Sequence, residues 1–189
     1  MKKILQNFFF ILLINIFFYS FSKANPKIEI IKNINSLETL KFDFIQSSFG
    51  NVERGIWYLK RPYYLKCIYS DKKQKQIIIN NKTLVVLHKR YDTKYFYPAS
   101  KSFFLDILDK KKFSYLIKNG ELIVDENTIE VKFNSTSKGK IIFYFDNREF
   151  YLSGWKTFDA NENSVIFKIN NSVRNEEIDK KFFMIPEIN

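Results

Sequence analysis

The stretch Gly55-Ile56-Trp57-Tyr58-Leu59-Lys60-Arg61-Pro62 constrains this chain more than any other, because it alternates in period two and then delivers an arginine in phase with the apolar residues. In a β-strand successive side chains point to opposite faces, so Gly55, Trp57, Leu59 and Arg61 share one face. Pro62 has no amide to donate and disfavours continuing the ladder. An arginine in phase with buried aromatics is costly unless its guanidinium finds acceptors, which predicts Arg61 at the rim of an apolar space, reaching across it. Taken alone, the residue reads first as a solvent-facing arginine at the end of an edge strand, so the neighbouring elements decide.

Those neighbours are mostly strands. Ile28, Ile31, Ile34, Leu37 and Leu40 recur at helical spacing and predict one amphipathic helix. The period then changes: Leu40, Phe42, Phe44 and Gln46 alternate with Lys41, Asp43 and Ser47, Gly50-Asn51 turns the chain, and the Gly55 strand follows. Tyr63 to Tyr69, Gln76 to Asn80, Thr83 to Lys89 and Lys94 to Tyr97 continue, with Asn80-Asn81 as a two-residue loop. The one interruption is Ser102 to Asp109, apolar at Phe103, Phe104, Leu105, Ile107 and Leu108, with Ser102 as a candidate cap. A helix so apolar has to lie on an apolar surface. Strands resume at Phe113 to Lys118, Glu121 to Val124 across an Asn119-Gly120 hairpin signal, Thr128 to Phe133, Lys140 to Phe145, Phe150 to Phe158, Ser164 to Asn170 and Lys181 to Ile185. This pattern predicts a mainly β fold: an antiparallel, incompletely closed β-barrel of about ten or eleven strands capped by short α-helices.

The first residues are set aside from the fold. Lys2 and Lys3, the apolar run Phe8 to Phe18 and Ser22-Lys23-Ala24 have the order of a signal peptide, with cleavage expected after Ala24. The competing reading is a retained anchor from Ile4 to Phe21, diluted by Gln6, Asn7 and Asn15. The remaining residues 25–189 are expected to form a single domain. Removing Lys2, Lys3 and Lys23, with no acid in that segment, takes the formal charge from +11 to +8. Positive charge raises nucleic acid as a partner, but export argues against it, lysines spread along a chain rich in Asn, Ile, Phe and Tyr read as composition, and an anionic membrane surface stays open as a weak partner. Cys67 is the only cysteine, so there is no intrachain disulfide and no cysteine for lipidation after the cleavage site. In phase with Leu65 and Tyr69, it reads as a buried small hydrophobe.

Enzymatic constellations are mostly missing. His88 is the only histidine, in a strand with Leu84 and Val86, and five glycines supply neither a nucleophile elbow nor a phosphate loop. No metal or cofactor is expected. Apolar aromatic surface is in excess, with 21 Phe and 11 Tyr. A meander whose inner face carries Leu40, Phe42, Phe44, Trp57, Leu59 and Leu65 has to cover that face. The only covers in the sequence are the helix before Leu40 and the Phe103 to Leu108 helix. Two short helices cover a large curved sheet poorly, which leaves either a space for an apolar ligand or a fully packed core.

In order along the chain, these residues resemble the outer-membrane lipoprotein carrier family, the LolA-like periplasmic chaperones. Phe42-x-Phe44-x-Gln46 resembles the family's F-x-Q strand, and Gly55-x-Trp57-x-Leu59-Lys60-Arg61-Pro62 its strand ending in K-R-P. Asn80-Asn81-Lys82-Thr83-Leu84 is similar to its D-G-K-T-L hairpin. Ser102 to Leu108 falls where the family's apolar lid helix lies, and Asp159-x-Asn161, Ile166, Asn175 and Phe182-Phe183-Met184-Ile185-Pro186 resemble its closing motifs. The short Asp109 to Lys112 segment leaves little room for the family's third lid helix. The family often extends past its final proline; Asn189 ends the sequence here, so no function is carried over for such an extension.

The resemblance implies a helix-capped half-barrel whose cavity, walled by Leu40, Phe42, Phe44, Trp57, Leu59 and Leu65, holds the acyl chains of lipoproteins. It implies a lid formed by Phe103, Phe104, Leu105, Ile107 and Leu108, tethered by Arg61. It further implies a soluble, monomeric periplasmic carrier, not an enzyme, that takes acylated lipoproteins from an inner-membrane lipoprotein-releasing transporter to an outer-membrane receptor where one is present. Burying an acyl chain is favourable by ~0.8 kcal/mol per CH₂, so release requires lid contacts that compete for the same surface. Two other readings stay open: a lipoprotein sensor on a similar fold, which normally needs a second domain, and a lipid hydrolase using His88.

Overall fold

The computed structural model describes residues 25–81, 83–101, 103–136, 139–158 and 162–187. The expected signal segment, the Ser102 cap and the Asp159-x-Asn161 motif lie outside them. The described residues form one antiparallel sheet of eleven strands in the order β6-β5-β4-β3-β2-β1-β11-β10-β9-β8-β7, with β6 and β7 as its unjoined ends. The half-barrel is therefore open, as its sequence pattern implies. Two meanders run outward from a central seam at which β1 (Thr39–Ser48) pairs with both β2 (Asn51–Lys60) and β11 (Ser164–Arg174). On one side follow β3 (Tyr64–Tyr69), β4 (Lys75–Asn80), β5 (Thr83–His88) and β6 (Thr93–Pro98). On the other follow β10 (Leu152–Phe158), β9 (Gly139–Asp146), β8 (Thr128–Ser135) and β7 (Glu121–Val124).

Among the described residues, three α-helices lie on the inner face. α1 (Pro26–Ser36) starts with Asn25 accepting from the Lys27 amide at 3.0 Å and with proline at its first position. It is shorter than the spacing suggests, because Leu37 already turns extended and Leu40 belongs to β1. Its buried stripe is Ile30 and Ile34, while Ile28 is 61% exposed. α2 (Phe104–Leu108) is the expected apolar helix.

α3 (Lys110–Asn119) overturns the expected strand at Phe113 to Lys118 and the hairpin at Asn119-Gly120, and it supplies the third helix. Asp109 caps it, accepting from the amides of Lys111 and Lys112 at 2.9 and 3.1 Å. Phe113, Leu116 and Ile117 form its buried stripe at i, i+3 and i+4, while Tyr115 is 60% exposed. The expected strand at Lys181 to Ile185 is instead a 3₁₀ turn, Lys180–Phe183, capped by Asp179. The turn after β4 begins at Asn81, one residue later than expected, since Asn80 pairs with Thr83.

The segment leading into that 3₁₀ turn and beyond it straps the outer face of β2 to β6. The Lys60 ammonium donates to the Ile178 carbonyl at 2.6 Å, Lys66 to that of Phe182 at 3.0 Å, and Lys94 to that of Pro186. Phe182 packs on Tyr58 and Phe183 on Tyr64, at 4.7 and 5.7 Å between ring centres. Three lysines that read as composition thus satisfy backbone acceptors of an irregular segment that has no ladder of its own.

Candidate functional site: an apolar interior beneath a short helix

The inner face of the sheet is an aromatic wall built across the central seam. Trp57 of β2 lies 5.4 Å from Phe42 and 5.1 Å from Trp155 and Phe167, and Trp155 stacks on Phe167 at 4.1 Å. Phe44 stacks on Phe167 at 4.7 Å and meets Tyr69 edge-on at 5.1 Å. The last pair explains Gly55. It is the cross-strand partner of both Phe44 and Tyr69, and a Cβ there would come within 2.7 Å of the Phe44 ring and 2.1 Å of the Ile68 carbonyl oxygen. Leu40, Phe42, Phe44, Trp57, Leu59 and Leu65 are all buried on this face.

The helices close this wall unequally. Beneath α1 the space is nearly filled: the cavity bounded by Ile30, Ile34, Leu40, Phe42, Leu59 and Trp155 measures about 30 Å³, the share of a single water. Beneath α2 a cavity of about 240 Å³ opens between Phe103, Phe104 and Ile107 on the helix and Trp57, Trp155 and Phe167 on the sheet. Gln46 and Thr157 are its polar lining residues. Phe104 touches the wall at one point, 5.5 Å from Trp57. On the other flank of α2 a groove of about 410 Å³ runs between Phe103, Leu116, Tyr115 and Phe133. α2 therefore has free volume on both sides, with Phe103 lining each.

Arg61 sits where the two closures meet. Its side chain is 6% exposed, which decides between the rim and the solvent-facing edge in favour of the rim. Nη1 donates to the Ile34 carbonyl of α1 at 2.5 Å, and Nη2 to the Ile107 carbonyl of α2 at 3.1 Å. Both acceptors lie in the last turn of a helix, where carbonyls lack intrahelical partners and the helix end is electronegative. The planar fork suits this bridge, since two donors diverge from one rigid group. Burial lowers the guanidinium to about 10, with Glu38 opposing the shift and Arg174 adding to it. The cause of the shift is desolvation: the guanidinium is buried between the two helices, where backbone carbonyls stand in for water.

Secondary ties anchor the C-terminal end of α2. Tyr63 donates to Asp109 at 3.2 Å, and the Lys110 ammonium donates to the Asn35 carbonyl at 2.8 Å and pairs with Glu38. Partial desolvation would raise Asp109, but the amides of Lys112 and Lys111 and the Tyr63 hydroxyl outweigh it and hold the carboxylate below its usual range. Phe103 stands at the N-cap position of α2, and among the described residues no side chain caps it.

Leu40, Phe42, Trp57 and Leu59 line the small cavity and Trp57 the large one, whereas Phe44 and Leu65 back the wall and border neither. In α2, Leu108 is fully buried and Leu105 half-buried. Trp155 and Phe167 escaped the sequence reading, although the alternation of Gly154-Trp155-Lys156 and Ile166-Phe167-Lys168 carries the same signal as β1 and β2. Cys67 is buried, and desolvation pushes its thiol well above the reactive range. His88 meets Tyr95 edge-on at 6.2 Å and lines neither cavity.

Residues 35–186 match the family described as Outer membrane lipoprotein carrier protein LolA. The chain belongs to this family. No curated protein matches the sequence. Among solved structures, an uncharacterized conserved protein from Thermus thermophilus aligns with a TM-score of 0.56 at 7% identity, covering 88% of this chain and 96% of that one. A DUF1329 family protein from Desulfovibrio piger aligns at 0.50 and 7% identity, covering 84% and 95%. A LolA superfamily protein from Nitrosomonas europaea aligns at 0.46 and 6% identity, covering 86% and 99%. At these identities the first two likenesses show the fold alone, and the LolA family model supplies the relationship.

Proposed function

We propose that this protein is a non-catalytic carrier that holds the acyl chains of lipoproteins beneath α2 and moves them through the periplasm, after cleavage behind Ala24, towards the outer membrane. The observation that carries the reading is the about 240 Å³ apolar cavity closed by a five-residue helix whose link to α1 runs through Arg61. The cavity is too small for several chains, and free volume on the far flank of α2 lets the helix move outward. Acyl chains entering would replace the contacts of Phe104 and Ile107 with the aromatic wall. Lid and ligand then compete for one surface, and the carrier binds firmly enough to shield its cargo while still releasing it.

An inner-membrane transporter is the donor in this reading and an outer-membrane receptor the acceptor where one exists. The test is to add the purified protein to spheroplasts that make an acylated lipoprotein. The expected result is soluble, acylated lipoprotein in a stoichiometric complex that mass spectrometry identifies. Appearance of unacylated protein alone would overturn the reading.

A further inference from the structure

One corner of the sheet plays no part in closing the interior. β6 ends the strand order; the strap meets it at Lys94, and from Tyr95 to Pro98 its side chains are exposed on both faces. Tyr95 and Tyr97, opposite Val86 and Leu84, continue the inner face beyond the helices. Phe96, opposite Val85, lies on the outer face beyond the aromatic contacts of the strap. They are 50%, 51% and 64% exposed, and Tyr91 in the preceding turn is 57% exposed.

Four cations converge beside these rings. The β5–β6 turn is bonded to the β3–β4 turn: the Lys89 amide donates to the Gln74 carbonyl, the Arg90 amide to that of Lys73, and Arg90 Nη1 to that of Lys72, each at 3.4 Å. Lys72, Lys73, Lys89 and Arg90 are thereby gathered at one end of the sheet, all exposed. The acids among them are Asp71, which accepts from the Lys75 amide at 2.9 Å, and Asp92. Lys75 is already paired with Glu53, so the corner keeps an excess of positive charge.

Exposed Tyr and Phe beside clustered Lys and Arg have the chemistry of the headgroup layer, where amphipathic rings settle at the interface and cations meet lipid phosphates. An open edge can also recruit a strand. A strand added to Thr93–Pro98 would leave Tyr91 and the four cations in the adjoining turns without a partner. We propose that β6 and the two turns beside it form a docking edge for bilayers carrying anionic phospholipid, bound at headgroup depth. At that depth the edge's backbone groups stay hydrated, as the hydrocarbon core would not allow. Docking of this kind does not require the interior to hold acyl chains.

The test is flotation of the chain from Asn25 onward, which holds every described element, with cargo-free phosphatidylcholine vesicles, with and without phosphatidylglycerol. Binding is expected only with the anionic lipid and is expected to weaken with added salt. Lys89→Gln and Arg90→Gln should each weaken it about fivefold, and Phe96→Ser about tenfold. Lys140→Gln and Lys168→Gln, exposed on β9 and β11, should leave it unchanged. The substituted side chains are exposed, so the variants keep the parent's thermal midpoint, and the ratio of anionic to neutral binding reports docking alone. No binding by the parent, equal binding to neutral vesicles, or full binding by the variants would overturn the proposal. So would variants that lose only capture of an extended peptide, which would assign the edge to a strand.

Discussion

The two ends of the interior are closed by helices of the same chain and behave as opposites. α1 has eleven residues, a side-chain cap and proline at its start, and it leaves about 30 Å³ beneath it. α2 has five residues, has Phe103 at its N-cap position and leaves about 240 Å³ beneath it. An isolated helix this short has no stability of its own. α2 persists through packing and through one arginine that ties its last turn to that of α1. The sealed end is where the sheet is stabilised, and the loose end is where it can be entered. Arg61 is the joint between them.

The comparison breaks most visibly where packing is tightest. Ile30, fully buried under α1, should cost about 2–5 kcal/mol when replaced by alanine, seen as a lower urea midpoint at unchanged slope. Cargo uptake per folded molecule should remain. A smaller loss belongs to the joint. Arg61→Leu removes two charge-assisted hydrogen bonds, worth about 1.5–3 kcal/mol each before the relief of desolvation, so the net should be ~2 kcal/mol or less. Its distinguishing effect is on transfer: lid contacts weaken, cargo is retained, and hand-over to an acceptor slows. Arg61→Lys should restore little, because an ammonium does not reproduce the diverging fork. The smallest effect on stability falls at the loose end. Phe104→Ala, at a half-buried position, should cost ~1 kcal/mol while enlarging the cavity and changing acyl-chain affinity more than Ile30→Ala does. If Phe104→Ala destabilised as much as Ile30→Ala, α2 would be a second sealed lid and the comparison would fail.

Much of this was legible in the sequence because the responsible residues alternate. Phe42, Phe44, Trp57 and Leu59 fall on one face in any strand reading, and Arg61 inherits its direction from them. The apolar run from Phe103 to Leu108 could only be a cover. α3 misled because Phe113, Tyr115 and Ile117 alternate as well as Phe113, Leu116 and Ile117 repeat helically. A ten-residue segment does not separate the two periods, and the deciding feature was the Asp109 cap. Lys180–Phe183 misled similarly: two adjacent aromatics suggest a strand, but they are spent on Tyr58 and Tyr64 outside the sheet. The acceptors of Arg61 were illegible in principle. They are backbone carbonyls, which carry no residue identity, so the sequence indicated that acceptors were needed without showing which ones.

The docking edge is a third region, set apart by exposure on both faces. Its aromatics are Tyr91, Tyr95, Tyr97 and Phe96, richer in hydroxyls than the Phe and Trp of the interior wall, and they stand exposed.

The central claim is that cargo enters by displacing α2 and leaves α1 in place. Hydrogen–deuterium exchange of the protein with and without a synthetic triacylated cysteinyl lipopeptide tests it most directly. The account expects amides of Phe104–Leu108, where Ile107 and Asp109 donate to Phe103 and Leu105 at 3.0 Å, to lose protection when the lipopeptide binds. Those of Pro26–Ser36 should stay as they were. Equal loss at both helices, or bound lipopeptide with α2 fully protected, would contradict it.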